Sequence, residues 1–234
     1  MAAESPQNSV PRHIGFILDG NRRWAKDHKL PTLEGHRRGY ENLKKITEAC
    51  FDRGVEYVSA YIFSTENWQR SKDEVSFLMD FAYQMSVKDL AELNERGIRL
   101  VWLGSRDNVD DKLRRAIENA VEQTKDNSRG TLCVCFNYGG RQEIVEAIQS
   151  MLKEKIDPQS VSPELVQQYL YAPQVPDPDL IVRTSGEQRT SNFLLWEAAY
   201  AELYFEPAYW PDFDEHKLDN VLEHYHNRSR RFGK

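Results

Sequence analysis

The feature that most constrains this chain is a regular alternation. Short runs rich in β-branched and aromatic residues are separated by longer stretches with helical periodicity. The runs fall at 12–18, 57–63, 98–103, 131–137, 179–183 and 201–205; helical patterns lie near 35–53, 73–96, 108–125, 141–154, 163–171 and 214–227. This order predicts one α/β domain built on a central, mostly parallel six-stranded sheet flanked by helices. With 234 residues and 40% hydrophobic content, the chain can fill one sizeable core. Residues 11–234 are read as that domain, and 1–10 as a flexible N-terminal segment.

A net charge of −6 argues against nucleic acid as a partner. Three cysteines, an odd number, suit a reducing compartment. Cys133 and Cys135 alternate along one run and so share a buried face, without the neighbours a metal site needs. No apolar run approaches the roughly 20 residues that span a bilayer. The opening "MAAESPQNSV" lacks a signal peptide's basic flank and apolar core. The expectation is a soluble, cytoplasmic protein.

Parallel sheets bind ligands at the carboxyl ends of their strands, so the residues after each run are where chemistry is expected. The first run ends in "DGNRRW", the second in "STENWQR", the fourth in "NYGGRQE" and the fifth in "RTSGEQRTSN". Asp19 alone reads as a metal ligand, a nucleophile, a base or a cap, and all four stay open. Arg22 and Arg23 beside it call for an anion, and Gly20 lets a ligand approach the backbone. Arg183 and Arg189 flank Thr184, Ser185 and Gly186, with Ser191 just beyond, as in a phosphate clamp. If Asp19 holds a divalent cation, the set implies a diphosphate neutralised by arginines and a metal. His36 and Arg37 open a helix within reach of the same anion. "FSTENW" adds Phe63, Ser64, Glu66, Asn67 and Trp68, aromatic and polar groups suited to an apolar substrate with a polar reacting end. "YGGRQE" lacks a nucleotide-loop spacing and reads as structural. Residues 73–96 carry an apolar stripe wider than one core contact requires, including Leu78, Phe81 and Met85. Packed against 35–53, it could wall a hydrophobic tunnel.

Five blocks, "HIGFILDGNRRWA", "GHRRGYENL", "FSTENWQRSKDEV", "NYGGRQEIVEA" and "PDPDLIVRTSGEQRTSNFLLWEAAYAELYFEPAYWPDF", closely resemble the cis-prenyltransferase, or undecaprenyl diphosphate synthase, family. The likeness runs in order from 11 to 233, and the DDxxD motif of trans-prenyltransferases is missing. The resemblance implies that isopentenyl diphosphate units are added to an allylic diphosphate, usually farnesyl diphosphate, each new double bond being cis. The product expected by default is undecaprenyl diphosphate, a cell-wall lipid carrier. By the same resemblance, Asp19 and Glu202 would hold Mg²⁺. Gly20, Asn21, Arg22, Arg23 and His36 would seat the allylic diphosphate beside Trp24, while Arg183, Arg189 and Ser191 would seat isopentenyl diphosphate. Asn21, Ser64 and Asn67 match positions tied to orienting that substrate and removing its proton, with Phe63, Trp68 and Arg70 in the binding set. The proton acceptor itself stays open. Arg231, Phe232 and Gly233 match an RxG pattern that completes the partner's site across a homodimer. Transient membrane contact for product release is compatible with this picture. Three residues depart from the pattern. Thr32 stands where many members have arginine, Gln188 where some have histidine, and Ile62 where alanine is common in medium-chain synthases. The alternatives are a short-chain cis-prenyl diphosphate synthase and a non-catalytic subunit.

Overall fold

The computed structural model describes residues 10–228. Strands β1 (His13–Ile17) and β4 (Gly130–Tyr138) are buried at every position, as strands covered on both faces must be. With β2 (Tyr57–Ser64), β3 (Ile98–Leu103), β5 (Leu180–Arg183) and β6 (Glu202–Phe205) they form one sheet in the order β3-β4-β2-β1-β5-β6. Every pairing is parallel, so the sheet is wholly rather than mostly parallel. The chain leaves β1 to one side for β2, β3 and β4, then crosses to the other for β5 and β6. The carboxyl ends of β1 and β5 therefore border the crevice where the strand order reverses.

The expected strands are all present, and the helices are finer than the periodicity suggested. A short helix α1 (Asn21–Asp27) follows β1 directly, and α2 (Thr32–Asp52) starts earlier than expected. The long stripe at 73–96 is two helices, α3 (Lys72–Lys88) and α4 (Leu90–Glu95). They meet at Asp89, which accepts a hydrogen bond from Lys44 of α2 at 3.2 Å. Helices α5 (Asp111–Thr124), α6 (Gly140–Lys153), α7 (Pro163–Gln168) and α8 (Glu215–His226) complete the layers. No helix among the described residues is long and apolar enough to cross a membrane.

One sheet face packs on Leu43, Ile46, Leu78, Leu113, Ile117 and Leu218, the other on Phe193, Leu194 and Ala172. Cys133 and Cys135 lie together in the second core, and burial pushes the Cys133 thiol up to about 12. Phe16 of β1 packs against Trp210 and Phe213, with ring centroids 5.6 and 6.0 Å away. Burying one such ring contributes about 1.5–3 kcal/mol. The contact also fixes the 209–213 segment above the end of β1, where Trp210 N–H donates to the Asp19 carbonyl at 3.0 Å.

Candidate active site

Asp19 sits at the meeting of two strands. Its Oδ2 accepts from Arg183 Nη2 at 2.7 Å, and its Oδ1 accepts from Arg23 Nη2 at 3.2 Å and the Gly20 amide at 2.7 Å. Burial alone would raise this carboxyl, but the hydrogen bond and charge of Arg183, then the charge of Arg23, hold it below its ordinary value. Gly20 has φ 102°, and a Cβ there would lie 2.7 Å from the Tyr209 ring and 3.1 Å from Ser185 Cβ. Only glycine makes this turn into α1.

The loop after β5 wraps the same point. Arg183, only 5% exposed at its side chain, donates from Nη1 to the Arg189 carbonyl and to Ser191 Oγ, both at 2.8 Å. Arg23 donates to Ser185 Oγ at 2.6 Å, and Arg189 pairs with Glu187 at 2.5 Å. Ser185, Ser191, Asn192 and Leu194 all have left-handed backbone, a concentration of strain typical of functional loops.

Two clefts open here. One, of about 680 Å³, is lined by Gly20, Arg22, Arg23, Lys26, Leu30 and Thr32. The other, of about 620 Å³, reaches from Arg183, Arg189 and Ser191 past Ser64 and Asn67 to Tyr40, Leu43, Ile62, Leu78 and Phe81. Leu18, Asp19, Asn21, His36 and Arg70 line both. One cleft is therefore cationic. Its neighbour is cationic at one end and apolar where α2 faces α3. At the junction Asn21 Oδ1 is buried without a hydrogen-bond partner. Such an acceptor is costly unless a ligand satisfies it. Ser64 N–H donates to Asn67 Oδ1 at 3.1 Å, which folds the 65–69 turn back over the end of β2.

Three expected substrate contacts are placed elsewhere. The β2–β4 register slips between Tyr61 and Phe63, so Ile62 is the extra residue and faces the cleft, while Phe63 points into the core, fully buried against Phe136. Trp68 stands edge-on to Phe63, its indole N–H given to Asn137 Oδ1 at 2.7 Å. Trp24 stacks on His28 and donates to Asp212 Oδ1 at 2.8 Å. None of the three lines either cleft.

Glu202 needs a larger correction. It opens β6 level with Leu180, whereas Arg183 is level with Phe205. Glu202 is therefore at the amino end of the sheet, opposite Asp19 in the same chain, with Arg228 at 3.7 Å. It cannot share a cation with Asp19 of its own chain. Arg231 and Gly233 lie outside the described residues. Sequence reasoning also passed over Lys26, Tyr61 and Asn192, which line the clefts, and gave Glu66 no role although it lines one and accepts from Asn192 Nδ2 at 3.1 Å. Glu66 was visible in the loop after β2, whereas Asn192 gave no signal beyond its place beside Ser191.

Fold and site together define an α/β protein whose switch-point crevice joins a cationic cleft to one with an apolar wall. A family model described as "Putative undecaprenyl diphosphate synthase" matches residues 17–233. Isoprenyl transferase 2 of Bradyrhizobium diazoefficiens is 44% identical, covering 99% of this chain and 94% of its own length. The isoprenyl transferase of Thermotoga maritima is 45% identical over 96% of this chain and 97% of its own. Lavandulyl diphosphate synthase of Lavandula x intermedia, solved in complex with dimethylallyl diphosphate, superposes with a TM-score of 0.92 at 33% identity, covering 97% of this chain and 100% of that one. A probable undecaprenyl diphosphate synthase from Campylobacter jejuni superposes at 0.81 with 29% identity, covering 96% and 99%. The chain belongs to the undecaprenyl diphosphate synthase family and is an isoprenyl transferase, an enzyme of isoprenoid synthesis.

Proposed function

We propose that this enzyme joins isopentenyl diphosphate units to an allylic diphosphate, with farnesyl diphosphate the expected starter, to make a Z-polyprenyl diphosphate. The observation that carries the reading is the pair of clefts meeting at Asp19, Asn21, His36 and Arg70. The allylic diphosphate sits in the cationic cleft against Gly20, Arg22, Arg23, His36 and Arg70, and isopentenyl diphosphate sits at Arg183, Arg189 and Ser191. The hydrocarbon runs between α2 and α3 along Tyr40, Leu43, Ile62, Leu78 and Phe81, the start of a hydrophobic tunnel.

As the allylic C–O bond breaks, negative charge grows on the departing diphosphate, and the arginines at the junction are already oriented to stabilise it. The isopentenyl double bond closes on the allylic carbon, and loss of a proton to the released diphosphate restores a double bond in the lengthened chain. Asn21, Ser64 and Asn67 orient the isopentenyl unit at the junction. The donor set suits Mg²⁺: a single ionised rim carboxylate, Asp19, beside a diphosphate seat is how that ion is usually held, with substrate phosphates and water filling the shell. Bound there by Asp19, the ion would neutralise charge on the leaving group.

The default product is of medium length, undecaprenyl diphosphate. Ile62 in the cleft wall favours a second reading, a shorter product, since a growing chain stops where added methylenes meet bulk. A homodimer completed by Arg231 and Gly233 rests on the family resemblance. Incubation of the purified protein with farnesyl diphosphate, labelled isopentenyl diphosphate and Mg²⁺, followed by sizing of the products, tests the reading. Label in a ladder of extended chains supports it. Unchanged isopentenyl diphosphate, with both substrates bound, refutes it.

A further inference from the structure

Three rim loops, those after β2, β4 and β5, meet at one side chain. Asn192 follows Ser191 directly and has left-handed backbone, at φ 66°. Its Oδ1 accepts the Arg141 N–H at 2.8 Å, its Nδ2 donates to Glu66 Oε1 at 3.1 Å, and its carbonyl accepts the Gly140 N–H at 2.9 Å. The amide has only one orientation here, because a backbone N–H needs an acceptor and a carboxylate needs a donor. Two glycines make room for the meeting. A Cβ on Gly139 would lie 2.6 Å from Thr65 Oγ1 and 2.9 Å from Asn192 Nδ2, and a Cβ on Gly140 2.5 Å from Leu195 Cβ. The glycine pair that fits no nucleotide loop is thus where the loop after β4 passes close to the other two. The tie spans a gap in the sheet: β1 lies between β2 and β5, so strand pairing sets neither end directly against the other.

We propose that Asn192 is a positioning residue for isopentenyl diphosphate: bonded to Glu66 and Arg141, it holds the diphosphate seat at Arg189 and Ser191 in register with the Ser64–Asn67 turn that orients the reacting end. The inference rests on the reading of Arg183, Arg189 and Ser191 as that seat. Each half of the cleft is anchored on its own side. Arg183 donates to Ser191 Oγ and to the Arg189 carbonyl, and the Ser64 N–H donates to Asn67 Oδ1. Glu66 and Asn192 join the halves, since Glu66 stands beside Asn67 and Asn192 beside Ser191. Both also line the cleft. Tyr61 braces the same loop from β2, its hydroxyl 3.3 Å from the Ser191 and Tyr138 carbonyl oxygens. Burial would raise the Glu66 carboxyl, but hydrogen bonds from its own N–H, Ser64 and Asn192 hold it below its ordinary value, so it accepts as a carboxylate. A substrate held at its diphosphate by one loop and at its double bond by another reacts only when the loops keep their spacing. A misplacement of about 1 Å costs on the order of a hundredfold.

The test exchanges donor and acceptor in the full chain, with steady-state kinetics measured for each substrate in turn. Asn192→Asp tolerates the left-handed backbone and keeps the acceptor for Arg141, but sets a second carboxylate against Glu66. It should lower kcat/KM for isopentenyl diphosphate about tenfold and leave the KM for farnesyl diphosphate within about twofold. Adding Glu66→Gln reverses the bond, the new amide donating to the new carboxylate, and should restore kcat/KM to within about threefold of wild type. Adding Glu66→Ala instead removes the same charge without supplying a donor, and should restore little. Equal rescue by Glu66→Gln and Glu66→Ala would show that charge alone matters and overturn the proposal, as would no rescue by Glu66→Gln. An equal loss toward both substrates in Asn192→Asp would mark a general packing defect and overturn it too. If Arg189→Ala impairs the use of isopentenyl diphosphate and Asn192→Asp does not, the role of Asn192 falls while the seat stands. If Arg189→Ala leaves that use unchanged, the seat assignment fails and the proposal falls with it.

Discussion

Replacing Asp19 by alanine should weaken the fold as well as the chemistry. The Asp19 carboxylate is the partner of Arg183 at 2.7 Å, and the two side chains are 27% and 5% exposed. Arg183 Nε already has no hydrogen-bond partner, so the substitution leaves a buried guanidinium without its counter-charge. Removing one member of a buried pair costs about 3–5 kcal/mol; the part-exposure of Asp19 admits screening by water and reduces this to about 2–3 kcal/mol. For a chain of this length that is a fall of roughly 5–10 °C in melting temperature. Circular dichroism melts of the ligand-free and metal-free proteins at neutral pH measure it, with Arg22→Ala as an exposed control expected to shift by no more than about 2 °C. The sign with pH follows from the depressed Asp19 carboxyl. Its stabilisation is fully present above the ordinary aspartate value and is lost as pH falls through the lower folded value. The gap between wild type and Asp19→Ala should therefore close in acid. Turnover should fall on the order of a thousandfold. Equal melting temperatures at neutral pH, or a gap that persists undiminished in acid, would refute the reasoning.

A Cβ at residue 39 would lie 2.4 Å from Asn21 Oδ1, so Gly39→Ala should push the Asn21 amide out of place. Alanine favours the helix by about 0.5–1 kcal/mol, so the melting temperature should hold or rise while kcat/KM falls by about tenfold or more; a parallel loss of both would contradict this. The neighbouring Glu143 and Glu197 carboxyls are both raised by burial, and Glu197 further by the charge of Glu143. The folded state thus holds a proton that the unfolded chain gives up. Melting temperature should decline as pH rises from the ordinary glutamate range into mild alkali, and Glu197→Gln should flatten that decline; an identical slope in the variant would rule the pair out. Ile62→Ala should lengthen the products by opening the cleft wall, read by chromatography of the dephosphorylated chains. An unchanged ladder with turnover intact would place the stop deeper between α2 and α3.

The sequence by itself determined the sheet and the rim. All six strand runs were legible; β1, β4 and β5, buried at every position, read as near-continuous apolar stretches, and the alternation of strands and helices favours parallel pairing. The carboxyl-end rule then picked out Asp19, Arg22, Arg23, Arg183 and Arg189, since a ligand at a parallel sheet meets whatever follows each strand. Local pattern could not decide which way Phe63 points: one extra residue at Ile62 reverses the alternation, and a bulge leaves no mark in the period of two. Nor could it tell that Trp24 and Trp68 spend their N–H groups on Asp212 and Asn137 rather than on a ligand. Glu202 looked close to the site because it stands in a signature block. Only the register of β5 against β6 shows it at the far end of the strand. Glu74 stands in a signature block, but its contacts with Arg22, His36 and Arg70 could not be read there, because those side chains arrive from three separate parts of the chain. A short-range pattern can specify which residues are strand, helix or rim, but a charge balanced across three elements exists only once the chain has folded.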